Sequence, residues 1–387
     1  MTHGADPRAV VAAVRGVVGD AAEVQLHEPW LADRERELVL DCVASGWVSS
    51  VGAYVDRFER DLATLTGHRR AVAAVTGTAA LQTALHLVGV RPGDEVLVPA
   101  LTFVATANAV AHCGAVPHLC DVEERTLGLD AAALARHLDA TCETGGGGLR
   151  NRATGRTVRA VVPMHAFGHP TDVDALAEVA AARGLVIVED AAEALGSTLR
   201  GRHVGHAGRV AILSFNGNKI VTTGGGGALL TDDEELGRRA KHVTTTAKLP
   251  HRWEFRHDEL GWNHRLPNLN AALGCAQLER LPEFLARKRA LHERYAAAFA
   301  DVPGVRLFRE RAGTTSNHWL NVLLLDAPDL ARRDALLAAA HDAGLRLRPA
   351  WEPLHRLPMY ADAPRAALPV TESLVARLVN LPSSAFL

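Results

Sequence analysis

The chain has no block of like charge, no CxxC pair and no apolar run free of turn-forming residues, and each absence removes a class of function. A formal net charge of −2 and a pI near 6.8 leave no electrostatic footprint for nucleic acid or an anionic membrane, so a small-molecule substrate is expected. Five cysteines (Cys42, Cys113, Cys120, Cys142, Cys275) are scattered at no metal or redox spacing, in a chain whose first residues carry no secretory pattern. They predict free thiols in a cytoplasmic protein. Two stretches without charge, between Arg70 and Arg91 and between Glu95 and Asp121, are long enough to cross a bilayer. Thr76, Gly77, Thr78 and Gln82 interrupt the first; Pro99, Asn108, Gly114 and Pro117 interrupt the second, so both read as strand, turn and buried helix.

Nucleotide and metal motifs are missing as well. Gly224 to Gly227 lacks the G-x-G-x-x-G spacing, and Ile220 stands where a phosphate loop would need Ser or Thr after Lys219. His165 and His169 are separated by Gly168 and followed by Pro170, which breaks any helical ligand pair, and no metal site is expected.

What is present is alternation. From residue 70 short β-rich runs (71–75, 95–98, 116–121, 158–162, 185–188, 210–215, 228–230) are interleaved with helical ones (79–88, 103–112, 173–182). This pattern predicts an α/β fold with a mostly parallel sheet flanked by helices. The glycine-rich segment 141–157 reads as a mobile surface loop. After about residue 265 the pattern becomes helix-rich (268–300), then a strand over 319–325, a helix over 330–343 and a last helix near 373–379. That change predicts a large domain over 24–265 and a smaller α+β C-terminal domain over 266–387.

Polar residues collect at the predicted strand ends, where open α/β sheets bind ligands. Thr76-Gly77-Thr78 precedes a helix whose free N–H groups, with the Thr78 hydroxyl and close backbone approach at Gly77, suit an anion. Asp190 closes the run Leu185 to Glu189, and a carboxylate at the edge of an apolar sheet needs a cationic partner. Lys219 follows an apolar strand in surroundings without charge, where desolvation favours the neutral amine that forms a Schiff base. An amine for an aldehyde, an acid for a pyridine nitrogen and a cradle for a phosphate together point to pyridoxal 5'-phosphate.

These residues, with the stretches 46–52, 77–81, 101–108, 189–193, 214–227, 261–265 and 271–274, resemble the DegT/DnrJ/StrS-type sugar aminotransferases over about residue 26 to the C-terminus. The resemblance implies fold type I, the aspartate-aminotransferase-like architecture of pyridoxal-phosphate enzymes. It also implies roles: Lys219 as the imine-forming and proton-moving residue, Asp190 on the pyridine nitrogen, and Gly77, Thr78, Ala79 and Ser214 on the phosphate. Phe103 would stack on the cofactor ring, Glu193 would stand next to its hydroxyl, and Asn263 would reach the phosphate from the other subunit of a homodimer. Trp47, Ser49, Ser50 and His318 are candidate sugar contacts. The family often has Gln at the position of Glu193 and Glu at that of Gly225. Those differences, with the stretches 263–270 and 379–384, resemble the branch making 4-amino-4,6-dideoxy-N-acetylhexosamines for legionaminic-acid-type sugars. The implied activity is transfer of an amino group from L-glutamate to a 4-keto sugar, a 6-deoxyhexose or a pentose, linked to UDP, GDP or dTDP. Transfer to C3, or a catalytically silent sugar-nucleotide sensor, are the alternatives.

Overall fold

The computed structural model describes residues 4–387. Eleven α-helices among them are α1 (Pro7–Val18), α2 (Asp33–Ser45), α3 (Ala53–Thr66), α4 (Gly77–Leu87), α5 (Val104–His112), α6 (Ala131–Thr141), α7 (Val173–Ala181), α8 (Glu234–Thr244), α9 (Asn268–Ala298), α10 (Leu330–Asp342) and α11 (Pro369–Val375). The main sheet is built from β1 (Arg70–Ala74), β2 (Glu95–Pro99), β3 (Val116–Cys120), β4 (Thr157–Val161), β5 (Val186–Asp190), β6 (Val210–Ser214) and β7 (Gly227–Thr231), in the order β1-β7-β6-β5-β4-β2-β3. Pairing is parallel from β3 through β6, and only β7 runs against its neighbours.

Period-two alternation sorts the strand residues onto two covered faces. Val72, Val98, Val188, Ile212 and Leu229 pack with α4, α5 and α8. On the other face Ala71, Ala211, Leu213 and Leu230 meet α3 and α9, while Leu97 and Ile187 meet α6 and α7. A second sheet, all antiparallel, is formed by β8 (Val305–Leu307), β9 (Asn321–Leu325), β10 (Arg348–Pro349) and β11 (Leu378–Leu381), in the order β8-β9-β11-β10. It shares a core with α1, α10 and the later turns of α9. The 31 residues of α9 span about 46 Å at the α-helical rise. This length lets its first turns pack on α2 and α3 and its last turns on α1.

Two expectations from the sequence need correction. The segment 141–157 is not a loop but a hairpin, Cys142–Gly145 with Gly148–Asn151, whose second strand pairs with β4. Its glycines serve the turn, and Cys142, Leu149 and Asn151 are buried. The final helix lies earlier than expected, at 369–375, and residues 378–381 form β11 instead. The apolar residues Leu378, Val379 and Leu381 suit either state, and pairing with β9 decides between them.

One buried side chain joins the start of α9 to the segment before α3. No side chain of its own caps α3, which begins after Gly52. Asn268 Oδ1 accepts from the N–H groups of Tyr54 (3.1 Å) and Val55 (3.3 Å), and its Nδ2 donates to the Trp47 carbonyl (2.7 Å). Asn268→Ala strands buried donors and removes the cap, so denaturant unfolding is expected to show a loss of about 1–3 kcal/mol. An unchanged midpoint would remove this role from Asn268.

Candidate active site

The strands end where the chain turns toward a cavity of about 300 Å³. β5 delivers Asp190 and, one turn on, Glu193; β6 delivers Ser214 and, five residues on, Lys219; β1 leads into the first turn of α4. The approach is tight. A Cβ at Gly77 would lie 2.9 Å from the Ser214 Cβ, and one at Gly227 would lie 2.5 Å from the Thr76 carbonyl carbon, so only glycine lets α4 start this close to the sheet.

Gly77, Thr78, Phe103, Asp190, Glu193, Ser214 and Lys219 all line this cavity. Thr76 caps α4 by accepting from the Ala79 N–H at 3.0 Å. That donor is therefore engaged locally, and the first-turn N–H groups of Gly77 and Thr78 remain for an anion. At the opposite side the Asp190 carboxylate is buried, with Oδ2 accepting from the Thr106 hydroxyl (2.8 Å) and Oδ1 from the Ala192 N–H (3.1 Å). Burial pushes its pKa above the ordinary value, against the Thr106 hydroxyl, the Ala192 N–H and the Lys219 charge, all of which favour the carboxylate.

Lys219 Nζ lies 3.1 Å from Glu193 Oε1, and Glu193 Oε2 accepts from the Phe167 N–H at 2.8 Å. Burial raises the Glu193 carboxyl to about 7, and the Lys219 ammonium opposes that rise. The amine also sits 3.9 Å from the ring centre of Trp319. The cavity thus offers an amine, a buried acid, free helix-terminal N–H groups with a nearby serine hydroxyl, and the half-exposed ring of Phe103. This donor set matches an aldehyde, a basic ring nitrogen, a phosphate and a flat heterocycle, and so fits pyridoxal phosphate.

The remaining predicted residues lie elsewhere. Asn263 is exposed outside the cavity and accepts from Arg265 Nε at 2.9 Å. Trp47, Ser49 and Ser50 precede α3 on the outer surface, with Trp47 59% exposed. His318 is corrected as a sugar contact within this chain: its ring is buried, stacked at 4.0 Å on His292 and edge-on to His169, away from the cavity. Left-handed backbone at His318 (φ 47°) turns the next residue, Trp319, into the cavity instead. Sequence reasoning missed Trp319, Trp351, Met164 and Thr106 as lining residues. A threonine one turn inside an uncharged helix is a weak signal, and an aromatic at the edge of an apolar run reads as core.

Comparison with known proteins agrees with this geometry. The model of the DegT/DnrJ/EryC1/StrS aminotransferase family matches residues 29–387. GDP-perosamine synthase of Caulobacter vibrioides is 36% identical over 370 residues, covering 95% of each chain. The Vibrio cholerae protein of the same name is 33% identical, covering 93% of this chain and 94% of that protein. Among solved structures, the aminotransferase TlmJ from Streptoalloteichus hindustanus superimposes with a TM-score of 0.84 at 33% identity, covering 94% of both chains. The chain belongs to the DegT/DnrJ/EryC1/StrS aminotransferase family, and with it to the pyridoxal-phosphate-dependent sugar aminotransferases of fold type I.

Proposed function

We propose that this enzyme takes an amino group from L-glutamate and delivers it to C4 of a nucleotide-linked 4-keto-6-deoxy sugar. The observation that carries the reading is the convergence of Lys219 and Asp190, from adjacent parallel strands, on one cavity with a helix N-terminus across it. The names of the GDP-perosamine synthase relatives favour a GDP-linked hexose among the nucleotides open to it. Against that stand Glu193 and Gly225, on which the resemblance to the N-acetylhexosamine branch rests.

The cofactor, when bound, supplies an electron sink that lets a C–N bond be exchanged between donor and acceptor. Asp190, its carboxylate held in place by the Thr106 hydroxyl and the Ala192 N–H, would pair with the cofactor's ring nitrogen and favour its protonated form. Gly77, Thr78 and Ser214 bind the phosphate. Phe103 packs its ring on the cofactor face. Lys219 Nζ, the one amine among the cavity-lining residues, would move the proton between the cofactor carbon and the donor or sugar carbon.

Asn263 and the surface residues Trp47, Ser49 and Ser50 act across a homodimer, each completing the other copy's site. Exposed apolar side chains on the same stretches support this arrangement: Trp47, Val48, Val51, Trp253, Phe255 and Leu260. The structure has no helix long and apolar enough to cross a membrane among the described residues.

Lys219→Ala is expected to bind the cofactor and fold normally, yet form no aminated sugar from L-glutamate and a nucleotide-linked 4-keto sugar when products are read by mass spectrometry. Turnover retained in that variant would sink the reading. Asp190→Asn is expected to keep bound cofactor and lose on the order of 10²-fold in kcat, the scale of removing one preorganised electrostatic partner. An unchanged kcat would place the partner of the ring nitrogen elsewhere.

A further inference from the structure

Amino transfer requires Lys219 to give up the cofactor in the first half-reaction and recover it only at the end of the second, so its amine needs a place to rest in the cavity in between. This need follows from the function proposed above. In the structure the ammonium has two partners: Glu193 Oε1 at 3.1 Å and the face of Trp319, with the ring centre 3.9 Å away. The lysine side chain is 11% exposed and that of Glu193 2%.

Both partners are fixed by one residue. Asn317 is fully buried, and its Nδ2 donates to the carbonyls of Glu193 and Leu195, each at 2.9 Å. Its Oδ1 accepts from the Trp319 N–H at 2.8 Å. The indole is held again by Nε1 donating to the Asn218 carbonyl (2.7 Å), next to Lys219 itself, and Lys288 Nζ donates to the Trp319 carbonyl at 3.1 Å. A side chain serving only as core filler would not need its ring aligned with a cation and its backbone held at both N–H and C=O.

We infer that Trp319 and Glu193, whose backbones the Asn317 amide joins, form a cradle for the detached Lys219 ammonium. A carboxylate and an aromatic face both favour the charged amine over the neutral one. The other ionisable groups coupled to the amine are Asp190 at the end of β5 and His27 before α2, and His27 in turn feels Lys288 on α9. Burial lowers Lys288 to about 7 and, with the Lys288 and Lys219 charges, holds His27 well below its ordinary value. These groups are common to all the variants below and cancel in rate ratios.

The test is peptide-resolved labelling of Lys219 with an amine-reactive reagent in the full-length chain, freed of cofactor and again loaded with pyridoxamine phosphate. The chain has only four lysines, Lys219, Lys241, Lys248 and Lys288, so the signal is unambiguous. Near neutral pH, Trp319→Leu is expected to label roughly three- to thirty-fold faster than wild type, the range of a desolvated cation–π contact. Trp319→Phe should fall between the two, and Glu193→Gln should also be faster. At high pH, where the amine is uncharged in every variant, the differences should vanish. Equal rates at neutral pH would overturn the cradle, as would an acceleration of the same size at high pH, which means only easier access. Labelling needs neither sugar nor amino donor. Its failure would remove the cradle and leave the amino-transfer reading standing, whereas turnover by Lys219→Ala would remove both.

Discussion

The buried pair of Lys219 and Glu193 is the constraint around which the site is arranged. Two charges taken out of water are only partly compensated by their attraction. The rise of the Glu193 carboxyl to about 7 records that deficit despite a cation at 3.1 Å. The surrounding chain supplies what the pair lacks. Phe167 turns its N–H onto Glu193 Oε2 and does so in left-handed backbone, φ 56°, which a phenylalanine rarely adopts. His318 is left-handed too, and its turn is what swings Trp319 over the amine. Two of the six left-handed non-glycine residues among those described thus sit on the segments that serve one ion pair.

Sheet topology explains why these groups meet at all. Parallel strands end on one side, and with β5 and β6 in register at Asp190 and Ile212, Asp190 and Ser214 open onto the same crevice. The antiparallel β7 closes that side by pairing with both β1 and β6, which brings the start of α4 against their ends. Gly77 and Gly227 make this possible, since a side chain at either would push α4 outward and carry its free N–H groups away from the cavity. The second sheet contributes Trp351, just after β10, and the segment 316–320 leading into β9, which the Asn317 amide pins to the first domain's turn after β5.

What was legible in the sequence follows from how local each signal is. The sheet was readable because each strand is a short apolar run bounded by turn residues, and Lys219 and Asp190 because they break such runs with a charge. Gly77 was readable as a close approach. The hairpin at 142–151 was not, because four consecutive glycines mask a pairing that only the neighbouring β4 edge stabilises. Trp319 and Thr106 were not, because their roles come from a left-handed turn at the preceding residue and from a carboxylate more than eighty positions away. His318 misled for the same reason: the turn that presents one residue to the cavity buries its neighbour.

Asp190 closes β5 and Glu193 lies three residues on, both almost fully buried, yet their surroundings assign them different work. Asp190 is met by a hydroxyl and a backbone N–H, neutral donors that orient a carboxylate without discharging it, so its charge stays available to a ring nitrogen. Glu193 is met by the Lys219 amine, so its charge depends on the state of Lys219. When Lys219 is charged the pair is an ion pair; when the amine is neutral, the charge that opposes the upward shift of Glu193 is gone and the carboxyl holds its proton more tightly. A glutamine at this position would keep the contact with the Phe167 N–H through its carbonyl oxygen but would lose that response. Environment rather than residue type divides the two acids, which is the usual way neighbouring carboxyls support separate electrostatic tasks.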